Sequence, residues 1–320
     1  MSAPERGMRS WRGFAVERIE TITLLGGGEL ATRDLMSPYV WQSEDAVYGI
    51  MVRGVPKGRD YSSDTGKIWY GEGSDGLTFA MRDEPILAPD AQGLDAGGCE
   101  DPTLVIHDGR WSIYYTGVDA GHACGQMLYA EGNGPNDLVK LGIALASSKT
   151  AGNTKEATVN RSKDGGWRLF YEYARDDASL IGLAIGAGVA GPWHEQPQPF
   201  APRPGGWDSW HLSPGPMLTH DRDYPVMFYN GATHDAQWRI GWVVFDCDYS
   251  RIVARCEQPL ITPPIASPGA VDIAFAASCL VPGAALAGQA TKAASVLNPV
   301  FWLYYSVEDC ALQRAVCRQR

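Results

Sequence analysis

One pattern recurs five times along this chain of 320 residues and restricts its fold more than any other feature. Runs rich in aromatic and β-branched residues, bounded by turn formers, lie at 46–52, 111–115, 167–171, 225–229 and 300–305. Such runs read as strands. A shorter extended segment precedes each one, at 37–40, 100–106, 156–159, 213–219 and 270–280. After four of them follows an apolar strand ending in small residues, at 141–147, 180–185, 240–245 and 312–317. No segment keeps a 3.6-residue period long enough for a long helix, and 37 Gly and 21 Pro supply the punctuation. The unit repeats roughly every 55 to 75 residues, a spacing that suggests propeller blades, each a small antiparallel sheet that buries its faces only against its neighbours. The expected fold is therefore all-β, a five-bladed β-propeller over residues 35–320, with 1–34 as an N-terminal extension of unassigned conformation. Segments 73–79 and 191–193 are expected as turns that close a blade.

Charge removes several function classes. With 27 basic against 37 acidic side chains the formal charge is −10, which argues against nucleic acid, whose binding rests on clustered Lys and Arg. The longest apolar run, 273–287, is interrupted by Pro282 and Gly283 and is too short for a membrane helix. Near the start, Arg6, Arg9 and Arg12 are followed by Glu17, Arg18 and Glu20 where a signal peptide needs an apolar stretch, so a cytoplasmic location is expected. Seven cysteines, an odd number set mostly in apolar surroundings, read as reduced thiols. No cofactor or metal is expected. Gly26-Gly-Gly28 lacks the lysine of a phosphate loop, Gly71 to Gly76 opens no helix, and His122-Ala-Cys124 has no second ligand pair.

A propeller has an axial funnel on which polar residues of every blade converge. Carboxylates stand at the start of the repeated units: Glu100-Asp101-Pro102, Lys155-Glu156, Asp208 and Asp272. Carboxylates and aromatic rings with few cations suit a neutral polyhydroxylated ligand, so the expected partner is an oligosaccharide. Trp69, Trp210 and Trp238 are candidate sugar platforms, with packing between blades as the plain alternative.

Glu100-Asp101-Pro102 followed by Trp111-Ser-Ile-Tyr-Tyr-Thr-Gly117 resembles the five-bladed propellers of glycoside hydrolase family 130, the mannoside phosphorylases and β-mannosidases. Ser37-Pro-Tyr-Val40 with Met51-Val-Arg53, Lys155-Glu156, Gly215-Pro216 with Phe228-Tyr-Asn-Gly231, and Tyr304-Tyr-Ser-Val-Glu-Asp309 resemble further family segments in the same order. Three positions depart from the family. Thr103 stands where it usually has Arg, Tyr171-Glu172 where it has a His-Arg pair, and Asn230 where it has a histidine. In the phosphorylases such cations hold the attacking phosphate, a task that needs positive charge in a partly desolvated pocket.

The resemblance implies Asp101 as general acid, delivering a proton to the leaving oxygen. Glu172 then becomes the candidate base for water, with Glu156 its competitor; a surface Glu paired with Arg175 is the plain alternative. Arg53, Lys155, Glu156, Asp208, His211, Asn230 and Asp309 are carried as substrate-binding candidates, and His211, where the family often has a lysine, keeps some capacity to hold an anion. The leading expectation is an inverting glycosidase acting on a β-mannoside, its two carboxyl groups about 6.5 to 9.5 Å apart. A β-mannoside phosphorylase is the alternative, and a non-catalytic sugar-binding propeller the rival from another class. Oligomeric state stays open, with the N-terminal segment a candidate for assembling a homo-oligomer.

Overall fold

The computed structural model describes residues 11, 13–148, 151–264, 272–283 and 299–320. Within them the chain is all-β, apart from two single turns of 3-10 helix at Gly28–Thr32 and Lys57–Arg59. Six hydrogen-bonded sheets form. The first runs Asp34–Gln42, Tyr48–Val55, Lys67–Gly73, Thr78–Met81, with Thr23–Gly26 added in parallel at its outer edge. The second is Gly98–His107, Arg110–Val118, Gly125–Gly132, Val139–Leu145, and the third Gly152–Arg161, Trp167–Arg175, Ala178–Gly186, His194–Gln196. The fourth repeat is divided in two. His211–Ser213, Asn230–Ala232 and Arg239–Ile240 make one small sheet; Met217–Leu218, Val226–Met227, Val243–Phe245 and Ile252–Arg255 make the other. Pro214 and Pro216, which have no amide hydrogen to give to a ladder, lie in the break. Gly215 between them is forced by contact, since a Cβ there would meet the Phe228 carbonyl oxygen at 1.9 Å.

The last sheet is Ala274–Leu280, Val300–Val307, Ala311–Gln319 and Phe14–Thr21. Its edge strand comes from the other end of the chain, from residues expected as a separate extension. Phe14 pairs with Gln319 and Thr21 with Gln313. No local pattern announces such a partnership, because the two strands are nearly 300 residues apart. Positions 1–10 and 12, with Arg6, Arg9 and Arg12, lie outside the described residues, as do 270–271 and the part of the apolar run 273–287 beyond 283. Gly125–Gly132 and Lys67–Gly73 were not expected as strands. Both are poor in β-branched residues, and burial against neighbouring sheets decides their conformation.

Five apolar clusters fill the spaces between consecutive sheets. Trp41, Met51 and Tyr70 of the first sheet meet Leu104, Ile113 and Tyr115 of the second; Tyr114 and Tyr129 meet Trp167 and Leu169 of the third. Phe170 and Ile181 meet Tyr229 and Val243 of the fourth repeat, and Phe228 and Val244 meet Phe301 and Leu303 of the last sheet. Tyr304 and Leu312 then pack with Val40 and Ile50, back on the first.

Side chains of the first two strands tie the same pairs together. Tyr39 Oη donates to the Leu104 carbonyl at 2.8 Å, Thr103 Oγ1 to the Ala157 carbonyl at 2.6 Å, and Thr158 Oγ1 to the Gly215 carbonyl at 3.0 Å. Asn230 takes the Ala276 amide at 2.7 Å and donates to the Ala276 carbonyl at 3.2 Å. Ser278 Oγ donates to the Pro38 carbonyl and accepts the Val40 amide, each at 2.8 Å. These bonds satisfy polar groups that the apolar interfaces would otherwise strand. All seven cysteines are free thiols. Among the described residues no helix is long and apolar enough to cross a membrane.

Candidate active site

The first strand carries one extra residue at the same point in three consecutive sheets. Met36 pairs with Arg53 and Tyr39 with Met51; Glu100 pairs with Thr116 and Thr103 with Tyr114; Lys155 pairs with Glu172 and Thr158 with Phe170. Three steps on one strand oppose two on its neighbour, which makes a bulge and re-aims a side chain. Ser37, Asp101 and Glu156 occupy the bulges with φ of 50°, 48° and 53°, a left-handed conformation that L-residues adopt at a cost of roughly 1 kcal/mol or more. Pro38 and Pro102 follow two of them, where the ladder has already lost a bond.

The bulges bring their side chains together. Ser37 Oγ donates to Asp101 Oδ1 at 2.6 Å, and Asp101 and Glu156 come close enough for each to shift the other's protonation. Arg53 Nη1 donates to Asp101 Oδ1 at 3.2 Å and its Nη2 to Glu100 Oε1 at 2.6 Å, while Nε and Nη2 hold the Thr65 carbonyl at 3.2 and 2.8 Å. On the third sheet Lys155 Nζ lies 3.4 Å from Glu172 Oε1. Ser179 Oγ donates to that same oxygen at 2.8 Å, and the Ser179 amide donates to His211 Nδ1 at 3.1 Å. Asp101 and Glu172 are buried, at 6% and 3% exposure, and Glu156 is half-buried.

Protonation follows from these neighbours. Burial pushes the Asp101 carboxyl up, but Arg53, the neighbouring Glu156 carboxyl and the Ser37 hydroxyl together hold it below its ordinary value. Burial, then the negative charges of Asp101 and Glu172, push Glu156 well above the usual carboxylate range against the pull of Lys155. Glu100 is raised by burial and by Asp101, with Arg53 opposing. Glu172 raises the Lys155 ammonium despite burial, so it stays charged. Burial lowers His211, whose Nδ1 accepts the Ser179 amide; near neutral pH the ring is uncharged and carries its hydrogen on Nε2.

Several sequence candidates sit elsewhere. Asp208 is fully buried among Arg203, whose Nη2 is 2.9 Å from Oδ2, Arg255, and the Tyr229 hydroxyl at 2.6 Å. It repeats Asp95, which takes the Tyr115 hydroxyl at 3.0 Å and pairs with Lys140. Asp208 is thus a structural anchor below the fourth repeat, not a partner of Asp101. Asn230 gives its amide to the Pro214 and Ala276 carbonyls and its oxygen to the Ala276 amide, which leaves it no capacity for a ligand oxygen. Asp309 differs from these: half-buried in the turn that follows the second strand of the last sheet, it lies at the strand end that Arg53 and Glu172 occupy in theirs and keeps its place among the candidates. Trp69 is wholly buried with its indole nitrogen on the Asp83 carbonyl, so it is core and not a platform. Glu172 pairs with Lys155 and not with Arg175, whose guanidinium lies over Tyr173. Thr103, in place of the family's Arg, ties two sheets together.

Arg53, Asp101, Lys155, Glu156, Glu172 and His211 are the candidates that the fold does assemble. Sequence reasoning missed Ser37 and Ser179 as members, and it treated Glu100 only as part of a motif. Aligning the repeats on the bulge finds Ser37, which stands where Asp101 and Glu156 stand; nothing local marks Ser179.

Known proteins resemble this chain in sequence and in fold. The family model described as β-1,4-mannooligosaccharide phosphorylase, glycoside hydrolase family 130, matches residues 37–266. A 1,2-β-oligomannan phosphorylase of Thermoanaerobacter sp. (strain X514) is 23% identical over 205 residues, 63% of this chain and 66% of that protein. The β-1,2-mannobiose phosphorylase of the same organism is 22% identical over 268 residues, 78% of this chain and 76% of that one. Among solved structures, the β-1,2-mannobiose phosphorylase of Listeria innocua superposes with a TM-score of 0.68 at 15% identity, over 95% of this chain and 91% of its own. A structure described under the finding that this family of mannoside phosphorylases contains glycoside hydrolases targeting β-1,2 mannosidic linkages in Candida mannan reaches 0.72 at 18% identity, covering 98% and 95%. With the model matching well over half of its length, this chain belongs to glycoside hydrolase family 130.

Proposed function

We propose that this protein cleaves β-mannosidic linkages in short oligosaccharides and passes the mannosyl unit to inorganic phosphate. The names of the relatives and the description of the family support phosphate over the water expected from the sequence. The observation that carries the reading is the junction of the bulges, where two cations come together, Arg53 on the carboxyl of Asp101, the acid candidate, and Lys155 on the neighbouring sheet beside Glu172. Phosphorolysis asks a protein for that acid and for positive charge near an anionic nucleophile; it needs no base. Glu172, the base that hydrolysis would use, is already engaged by Lys155 and Ser179.

One observation favours hydrolysis as a second reading. Glu172 holds the position on the third sheet that Arg53 holds on the first, and with Glu100, Asp101 and Glu156 it surrounds two cations with four carboxyl groups. Incubation with β-1,2- and β-1,4-linked manno-oligosaccharides, with and without phosphate, separates the cases. Mannose 1-phosphate, formed at a rate that saturates with phosphate, is the expected product. Free mannose at a rate indifferent to phosphate selects hydrolysis, and no product in either condition selects a sugar-binding module.

We also read the sheets as a closed five-bladed propeller. The ring of interfaces that returns from Ser278 to Pro38 and Val40 supports it, and so does the Phe14–Thr21 strand, which completes the last sheet. A crystal structure lacking the contact between the last sheet and the first would undo this reading.

A further inference from the structure

We propose that Ser179 is a positioning residue of the site: its hydroxyl holds the Glu172 carboxylate in place, so that Lys155 stays open to an anion instead of closing on Glu172. The inference rests on the phosphate reading and deepens it by naming the residue that keeps one of the two cations available.

The local fold puts the three side chains on one face. Trp167–Arg175 and Ala178–Gly186 are joined through Asp176 and Asp177, with φ of 52° and 58°, the left-handed pair that a tight hairpin turn requires. The pairing that follows sets Glu172 opposite Ile181 and Ala174 opposite Ser179, so Ser179 is the diagonal neighbour of Glu172 on the same face. Lys155 stands opposite Glu172 on its other side. That face looks toward the fourth repeat, where Phe170 and Ile181 meet Tyr229 and Val243. The hairpin is fixed to that repeat at two points: the Ser179 amide donates to His211 Nδ1 at 3.1 Å, and the Trp210 indole donates to the Asp177 carbonyl at 3.1 Å. Ser179 is therefore itself held still, as a residue that fixes another has to be.

Distances rank the two partners of Glu172. Ser179 Oγ donates to Oε1 at 2.8 Å, while Lys155 Nζ lies 3.4 Å from the same oxygen, beyond the roughly 2.7 to 2.9 Å of a charge-assisted bond. The hydroxyl makes the short contact and the ammonium the long one. Glu172 is 3% exposed, so solvent offers it little in exchange for a lost donor. Removing the Ser179 hydroxyl leaves Oε1 to Lys155, and a buried carboxylate short of a donor draws its cation in. An anionic nucleophile then meets an ammonium already neutralised. A serine kept only for packing would show no such dependence on Glu172.

A double-mutant cycle on the full chain tests this. Ser179→Ala, which keeps the amide to His211, is expected to raise the KM for phosphate about 3-fold to 10-fold, the scale of one hydrogen bond, with little change in the KM for β-mannobiose. Ser179→Thr, which keeps a hydroxyl, should recover most of the loss. In a Glu172→Gln background the same Ser179→Ala change should have no further effect on phosphate, because the competition for Lys155 is already gone. Equal effects in both backgrounds, or none in either, overturn the proposal and leave Ser179 as packing. Urea unfolding of the wild type, both single variants and the double variant gives a readout that needs no substrate. There Ser179→Ala is expected to lower the folding equilibrium constant about 5-fold more opposite Glu172 than opposite a glutamine, since a hydrogen bond to a charged acceptor is the stronger one. Additive effects on unfolding also overturn the proposal. Failure of the functional reading is distinct: a wild type whose rate is indifferent to phosphate sinks that reading, and the unfolding cycle still decides whether Ser179 holds Glu172.

Discussion

Lys155 and Glu172 stand opposite each other on adjacent strands, and the ammonium lies 3.4 Å from the carboxylate oxygen. In a buried pocket that pairing holds a cation in place and also cancels much of its charge. An anionic nucleophile has to compete with Glu172 for Lys155. Glu172→Gln is therefore expected to lower the KM for phosphate on the order of 10-fold, the effect of removing about 1.4 kcal/mol of repulsion. Phosphate titrations of the variant and the wild type check this. An unchanged KM, with release of free mannose abolished, would instead identify Glu172 as the base of a hydrolase.

Asp208 anchors two arginines and a tyrosine in a wholly buried position. Asp208→Ala strands Arg203 and Arg255 without a counter-charge and is expected to destabilise the fold by about 3 to 5 kcal/mol. Urea denaturation reads this directly. Folded variant should keep its KM for oligosaccharide, since the Asp101 cluster does not include Asp208; a KM defect without a stability defect would return Asp208 to the site.

The two bulge carboxyls affect stability in opposite directions as pH changes. Asp101 has a depressed value when folded, so its contribution is present above the unfolded value of about 3.9 and is lost as pH falls through the folded one. Glu156 has a raised value, so the folded state binds the extra proton. Stability then falls as pH rises from about 4.3, where the unfolded residue ionises, toward the folded value. Glu156→Gln, neutral at every pH, is expected to flatten that decline and to be more stable than wild type at neutral pH. Melting temperatures measured from pH 4.5 to 8 test the sign; a wild-type advantage that grows with pH would contradict it.

Trp238 lies beside the site without being part of the carboxylate cluster. Its ring is 5.7 Å from that of His211, which Ser179 connects to Glu172, and it meets Phe275 edge-on at 5.1 Å. Loss of a stacking face costs about 0.5 to 1.5 kcal/mol. Trp238→Ala is accordingly expected to raise the KM for manno-oligosaccharides roughly 2-fold to 10-fold with kcat nearly unchanged. Equal KM values in initial-rate assays would assign the ring to packing alone.

Much of this protein was legible in its sequence because the signals are local. Runs such as 111–115 and 300–305 announce strands through their own side chains, and their fivefold recurrence announces the repeat. Asp101 and Glu156 could be picked out because each precedes an apolar segment at the start of a unit. Asp208 answers the same description, yet it anchors the core, since what separates it from Asp101 is a pair of arginines, Arg203 and Arg255, of which the second is 47 residues away.

By itself the sequence determined the all-β class and the residue types offered to the site, for a strand propensity is set by a few neighbouring side chains. Tertiary structure alone decided that Phe14–Thr21 completes the last sheet, that Ser37 and Ser179 join the cluster, and that Arg53 settles on Asp101 and Glu100. Pairing and protonation are sums over groups that come close only when the sheets meet. Ser37, Arg53, Asp101 and Glu172 are spread over 136 positions of chain, and their mutual distances exist only in the folded molecule.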